Sequence, residues 1–194
     1  PHYFVEHKNT PHALQNLKRF IQKTQKQSQA FLAWVHLYEP HSPWQAHSKF
    51  MPDPSLIKSN VKNRDALRNY YSELSYVDHH LGNFMQWFYK QKEAETTLVW
   101  MMADHGQGIG EDIDGKSFTG HHVHVHSQIS WVPFYISGPH IPKNTTQQHL
   151  AVAQLDLMPS IFDFIQSALP HQLYAQGRSI YQTLNQTHQT RILP

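Results

Sequence analysis

Two near-continuous apolar runs, Ala30-Phe-Leu-Ala-Trp-Val-His-Leu-Tyr38 and Thr96-Thr-Leu-Val-Trp-Met-Met-Ala103, bracket a long segment whose apolar residues recur every three or four positions. No other feature constrains the fold as much. Apolarity on both sides of a short run suits a strand covered on both faces, as in an α/β sheet. The segment between them, residues 64–91, lines up Leu67, Leu74, Val77, Leu81, Met85 and Phe88 in one stripe, which predicts a single long helix. A third strand is predicted over 131–137, closed by Gly138 and Pro139. Residues 11–27 predict an amphipathic helix on Leu14, Leu17 and Ile21. Asp156 reads as the N-cap of a helix running to about Gln166, and 178–184 as a short amphipathic piece. Strand, helix, strand, loop, strand, helix is an α/β order. It predicts three strands in one sheet, right-handed crossovers, and helix 64–91 packed on a face.

Composition narrows the function. Of 194 residues, 39% are apolar and 15% charged, which fits one folded domain. The net charge is +2 and no block of Lys or Arg stands out, so a nucleic-acid partner has no electrostatic footprint. The apolar runs are too short to span a bilayer, and the first residues, Pro-His-Tyr-Phe-Val-Glu-His, do not have the form of a signal peptide. Cysteine is absent, which excludes disulfides and thiolate chemistry from these residues. Histidine, at 17, is the unusual count. Most are expected on solvated surface, and spacing must choose the few with chemistry.

In open α/β sheets that chemistry collects beyond the carboxyl ends of strands. His41 follows the first run; Asp104 and His105 end the second. A carboxylate beside an imidazole, followed by Gly106, suits one cation of the Zn²⁺ or Mn²⁺ type, with Ca²⁺ less obvious. The same dipeptide also suits a strand-ending turn in which Asp104 caps backbone N–H groups. The glycines of Asp104-His-Gly-Gln-Gly-Ile-Gly110 predict a loop. His41, between Pro40 and Pro43, lies on stiffened backbone and suits either a surface loop or a hydrogen bond to an anionic ester. In Gly120-His-His-Val-His-Val-His126 the period-two His122, His124 and His126 would share one strand face, which suits one metal site; a polar edge segment is the preferred reading for His124 and His126. Asp78, beside His79 and His80 on the long helix, reads as a buried carboxylate bonded to neighbouring loops.

Taken in order, these segments resemble the later half of the sulfatase family of the alkaline phosphatase superfamily. Trp34-Val-His-Leu-Tyr-Glu-Pro-His-Ser-Pro-Trp44 is similar to the family's strand ending in a Pro-His-x-Pro-aromatic turn. Tyr70 to Asp78, with Leu81-Gly82, resembles its Tyr-rich helix, and Met101-Met-Ala-Asp-His-Gly106 its Ser-Asp-His-Gly metal motif. Gly120-His121 before Val132-Pro133, Gly138-Pro139, Asp156-Leu-Met-Pro-Ser160 and Gly177-Arg-Ser-Ile180 follow in the family's order. The likeness covers about residues 11–184.

The resemblance implies an alkaline phosphatase-like mixed sheet with helices on both faces, in a single partial domain over 1–194 that lacks the N-terminal part. It makes Asp104 and His105 ligands of a divalent metal ion (Zn, Mn or Ca). It makes His41 and His121 catalytic contacts to the oxygens or leaving group of a sulfate- or phosphate-ester substrate, with His122 as a substrate-binding companion. The family's nucleophile and remaining acidic ligands come from the N-terminal half, so the chain alone is expected to be inactive. Gln107 departs from the Glu usual in the motif, and the Lys of the Gly-His region has no counterpart, since Lys116 precedes Gly120. The implied activity is metal-dependent hydrolysis of sulfate esters. The alternatives are phosphoethanolamine- or phosphoglycerol-type transfer to lipid or glycan head groups, and a non-catalytic binding domain. An extracytoplasmic, periplasmic location follows from the family, with membrane attachment only through a missing N-terminal region.

Overall fold

The computed structural model describes residues 9–57, 61, 63–113, 115–122, 125–143, 152–168 and 176–185. Their regular elements are, in chain order, α1 (Thr10–Lys26), α2 (Arg64–Phe88), β1 (Val99–Met102), β2 (Gly108–Ile113), β3 (Lys116–Gly120), the short α3 (Ser127–Ser130), β4 (Phe134–Ser137), α4 (Leu157–Phe164) and α5 (Ile180–Asn185). This is a mixed helix-and-sheet protein. The described residues fall into two compact units, one within Pro1–Ala94 and His105–Trp131, the other within Glu95–Asp104 and Val132–Pro194.

In the first unit the two long helices start where the sequence supplies caps. Asn9 accepts from the His12 N–H and Asn63 from the Ala66 N–H, each satisfying a first-turn donor that the helix itself leaves unpaired. Lys23 and Lys26 sit in the last turn of α1, where cations meet the negative end of the helix dipole. Leu14 and Ile21 of α1 and Phe88 of α2 are buried as the two helices pack, and Lys18 Nζ lies 4.7 Å from the Trp87 ring centroid. A second nucleus joins Ile57, Val61, Leu67 and Ile109, with Trp44 and Tyr70 against it. It ties the hairpin to the start of α2.

The hairpin begins in sequence expected to be a loop, at residues 108–110. β2 and β3 pair antiparallel from Gly108↔Gly120 to Ile113↔Lys116, with a bulge between Ile109 and Glu111. The glycines serve the strand rather than end it. A Cβ on Gly108 would meet the Phe118 ring at 2.4 Å, and Gly110, at φ +96°, sits in the bulge. β3 stops at Gly120 (φ +90°), and the described His121, His122 and His126 lie outside any strand.

Residues 30–38 form no strand in the described structure, contrary to the expectation for them. Leu32 is 78% and Trp34 84% exposed. Apolar composition states what faces a run suits, but a strand also needs a neighbouring backbone for its N–H and C=O groups. No described segment pairs with 30–38, so the three runs do not share one sheet.

In the second unit the other two runs do pair, and antiparallel: Val99↔Ser137 through Met102↔Phe134, with Trp100 edge-on to Phe134 at 4.7 Å. No parallel crossover joins them. Asp156 precedes α4 as expected, but its buried carboxylate does not cap that helix. Instead Oδ2 accepts from the Ala153 N–H and Oδ1 from the Arg178 N–H, both at 2.8 Å. Ser160 Oγ accepts from the Ile180 N–H at 2.9 Å, locking α5 onto α4. Asp78 is exposed rather than buried. The buried carboxylate of α2 is Glu73, which accepts from the Gln45 N–H at 2.9 Å. Among the described residues, no helix is long and apolar enough to cross a membrane.

Candidate active site

Four histidine rings from three segments of the first unit lie side by side. His121 stacks on His105 with ring centroids 4.0 Å apart, touches His122 at 4.0 Å, and meets His41 edge-on at 6.1 Å. His41, His105 and His121 are half-buried; His122 is exposed.

Each segment is held by backbone. His41 donates its N–H to Tyr38 O at 3.1 Å and stacks on the Tyr38 ring at 4.7 Å. Trp44 Nε1 donates to Pro40 O at 2.9 Å, closing the same turn, whose Ser42–Pro43 bond is cis. Just before it, Glu39 is 2% exposed and accepts from both the backbone N–H and the hydroxyl of Thr10 at the start of α1. His105 precedes Gly106, whose N–H donates to Ile129 O at 2.8 Å. The α3 turn comes so close there that a Cβ on Gly106 would lie 1.7 Å from Gln128 O, so only glycine fits. His121 follows the last rung of the hairpin, and Gln107 precedes the facing end of that rung.

The ring nitrogens follow a pattern. His41 Nδ1 lies 2.6 Å from Ser42 O and His105 Nδ1 2.8 Å from Gly106 O. A carbonyl oxygen only accepts, so in both rings Nδ1 carries the proton. Nε2 is then the lone-pair nitrogen of the neutral ring: a metal ligand or proton acceptor, and a donor only once the ring is protonated. His121 Nδ1 lies 2.9 Å from Gln107 Oε1.

Of the remaining residues singled out in the sequence, His126 is apart, its ring edge-on to Phe118 at 5.1 Å. His124 lies outside the described residues. Asp104 belongs to the second unit, where it is exposed and its backbone carbonyl accepts from Gln154 Nε2. Among the described residues, no group of three or more His, Cys, Asp or Glu is arranged to hold a metal ion. The donor chemistry of His105 still fits one. Metal-ligating imidazoles commonly give their second N–H to a carbonyl, as His105 does to Gly106.

The family model for sulfatases matches residues 7–167. The chain belongs to the sulfatase family. It is 25% identical over 151 residues to a Δ4,5-hexuronate-2-O-sulfatase of Bacteroides thetaiotaomicron, covering 77% of this chain and 30% of that relative. Among solved structures it resembles Ps i-CgsB in complex with k-i-k-neocarrahexaose, with a TM-score of 0.69, 21% identity, and coverage of 91% of this chain and 38% of the other. It also resembles the lipoteichoic acid synthase LtaP of Listeria monocytogenes, with a TM-score of 0.66, 17% identity, and coverage of 89% and 42%. These likenesses give the sulfatase member its alkaline phosphatase-like fold. The chain spans well under half the length of the proteins it matches. The sulfatase family is one of hydrolases that generally use a divalent metal.

What the sequence did not single out is the support around the rings. The stacking of Tyr38 on His41 and the bond between Gln107 and His121 became visible only with the turn and the hairpin register. Glu39 carried a hint: a carboxylate between an apolar run and a proline has few reasons to be there unless it is paired.

Proposed function

We propose that the protein is a metal-dependent sulfate-ester hydrolase acting outside the cytoplasm, of which this chain is the C-terminal part. The carrying observation is the gathering of His41, His105 and His121 within a few ångströms in a sulfatase-family chain. Asp104 and His105 would hold the divalent ion (Zn, Mn or Ca), which when bound supplies stabilisation of charge on the transferring group. His41 and His121 contact the ester oxygens as donors once their rings are protonated, and one of them then passes the proton on its Nε2 to the leaving oxygen. His122, exposed at the rim, is a further contact for the substrate. The nucleophile and the other acidic ligands come from a preceding part of the protein. Two features fit that assignment: the chain's share of its relatives' length, and the apolar 30–38 run, exposed as a strand without its neighbour would be.

Transfer of a phosphoryl-linked group to a lipid or glycan head group is the second reading. The Asp-His pair with extra histidines favours it, as does the fold shared with LtaP. Calorimetry with Zn²⁺, Mn²⁺ and Ca²⁺, together with turnover of aryl sulfate and aryl phosphate, tests both. The 194-residue chain should bind metal weakly and turn over neither ester. The full-length protein should bind metal tightly and hydrolyse the sulfate. Preference for the phosphate would select the second reading, and absence of metal binding by the full-length protein would overturn both.

A further inference from the structure

We infer that Gln107 is a positioning residue that fixes the tautomer of His121, so that this ring works through Nε2 as a proton acceptor. The inference rests on the proposed role of His121 at the ester.

The logic is one of hydrogen-bond capacity. Gln107 Nε2 lies 3.0 Å from Gly108 O. A backbone carbonyl can only accept, so the amide nitrogen must be on that side and the amide oxygen on the other. The amide oxygen in turn lies 2.9 Å from His121 Nδ1. It too can only accept, so Nδ1 must donate. One backbone carbonyl therefore sets the orientation of Gln107, and Gln107 sets the proton on His121. The hairpin supplies the geometry: Gly108 pairs with Gly120, which puts Gln107 and His121 opposite each other just beyond the last rung.

A carboxylate at position 107 would accept the same bond. It would also add a full negative charge one ring away from an anionic ester. The amide keeps the orientation without the charge, so the site holds an anion better with Gln than with Glu. Gln107 is thus a determinant of affinity as well as of tautomer.

The test uses full-length protein labelled with ¹⁵N-histidine, with His121 assigned from its Gln variant. In the wild type at mildly alkaline pH, His121 should show a protonated Nδ1 and an unprotonated Nε2. Gln107→Leu removes the acceptor and should give a mixture of the two tautomers, whereas Gln107→Glu should keep the wild-type one. In turnover, Gln107→Leu should lower kcat by about tenfold or more with KM little changed, as losses of orienting partners commonly do. Gln107→Glu should chiefly raise KM for the anionic ester, by about threefold, which is about 0.7 kcal/mol at 1.4 kcal/mol per decade. A wild-type His121 protonated on Nε2, or an unchanged tautomer in Gln107→Leu, overturns the inference. Correct tautomers in a protein inert toward both esters would support the positioning by Gln107 while refuting the ester reading.

Discussion

Replacing Glu39 by Ala should unfasten the turn that presents His41. Its carboxylate accepts from the Thr10 N–H and, at 2.5 Å, from the Thr10 hydroxyl, and both residues are almost fully buried. Hydrogen bonds to a charged group contribute about 1.5–3 kcal/mol each, and donors left buried without an acceptor cost about 1–3 kcal/mol. A carboxylate at the N-terminus of α1 adds about 0.3–1 kcal/mol through the helix dipole. These figures overlap, because they count the same groups twice, and a net loss of about 3 kcal/mol is the reasonable expectation. Glu39→Gln keeps an acceptor for the N–H, loses only the charge, and should cost about 1 kcal/mol. With an m-value of about 2 kcal/mol/M in urea, the midpoints should fall by about 1.5 M and 0.5 M. The exposed Glu95→Gln serves as control and should stay within about 0.5 kcal/mol of wild type. The Tyr38–His41 stack should loosen in parallel, visible as a ring-current change at His41. An Ala variant as stable as the control would refute the assignment of Glu39 as the anchor.

Three other outcomes follow from the same geometry. Gly106→Ala should lose about 2–3 kcal/mol, as overpacked sites do, because its methyl would meet Gln128 O and the Gly106–Ile129 hydrogen bond would break; urea midpoints measure it. His80 is held below its ordinary value of 6.5 chiefly by burial and then by the neighbouring His79, with Glu39 opposing and His47 adding. A folded-state pKa lowered in this way means the unfolded chain binds the proton more readily, so His80's contribution is complete above about 6.5 and is lost as pH falls below it; denaturation at pH 7.5 and 5.5 should show this, and His80→Gln should remove that part of the difference. Asp104→Asn in the full-length protein should weaken metal affinity by about tenfold or more and lower turnover with it, measured by calorimetry and ester assay.

The long helix was legible because its stripe repeats with the period of the structure it forms; α2 starts at Arg64, where Asn63 supplies the cap. The run 131–137 and the run 97–103 were legible as strands for a related reason: each found a partner in the other. Residues 30–38 carry the same signal and form no strand, since the partner a strand needs is a property of the rest of the chain. The hairpin was hidden by its glycines. Gly108 and Gly110 read as punctuation, yet one makes room for the Phe118 ring and the other accommodates a bulge. On α2, Asp78 and Glu73 lie five positions apart, and only the path of the 44–50 segment decides that Glu73 is the buried one. The histidines posed the same difficulty. Nothing in their spacing separates His41, His105 and His121 from His47 or His140; the order of motifs around them does.

The three rings share a construction that follows from where they sit. Each ends a segment pinned by main-chain contacts: the Tyr38–His41 turn, the Gly106–Ile129 bond, the Gly108–Gly120 rung. A half-buried imidazole on such a segment stacks on neighbouring rings and takes a hydrogen-bond partner from what is fixed nearby, a backbone carbonyl for His41 and His105. His121 follows a glycine at φ +90° and takes the amide of Gln107, itself oriented by a carbonyl. Orientation is therefore inherited from backbone in all three cases, directly twice and through one side chain once. A site built this way tolerates exposure, because carbonyl positions do not depend on a packed apolar shell. It is correspondingly sensitive to backbone. Substitutions at Gly106 and Gly108, which touch no substrate, should disturb the imidazoles more than substitutions at the exposed His122 beside them.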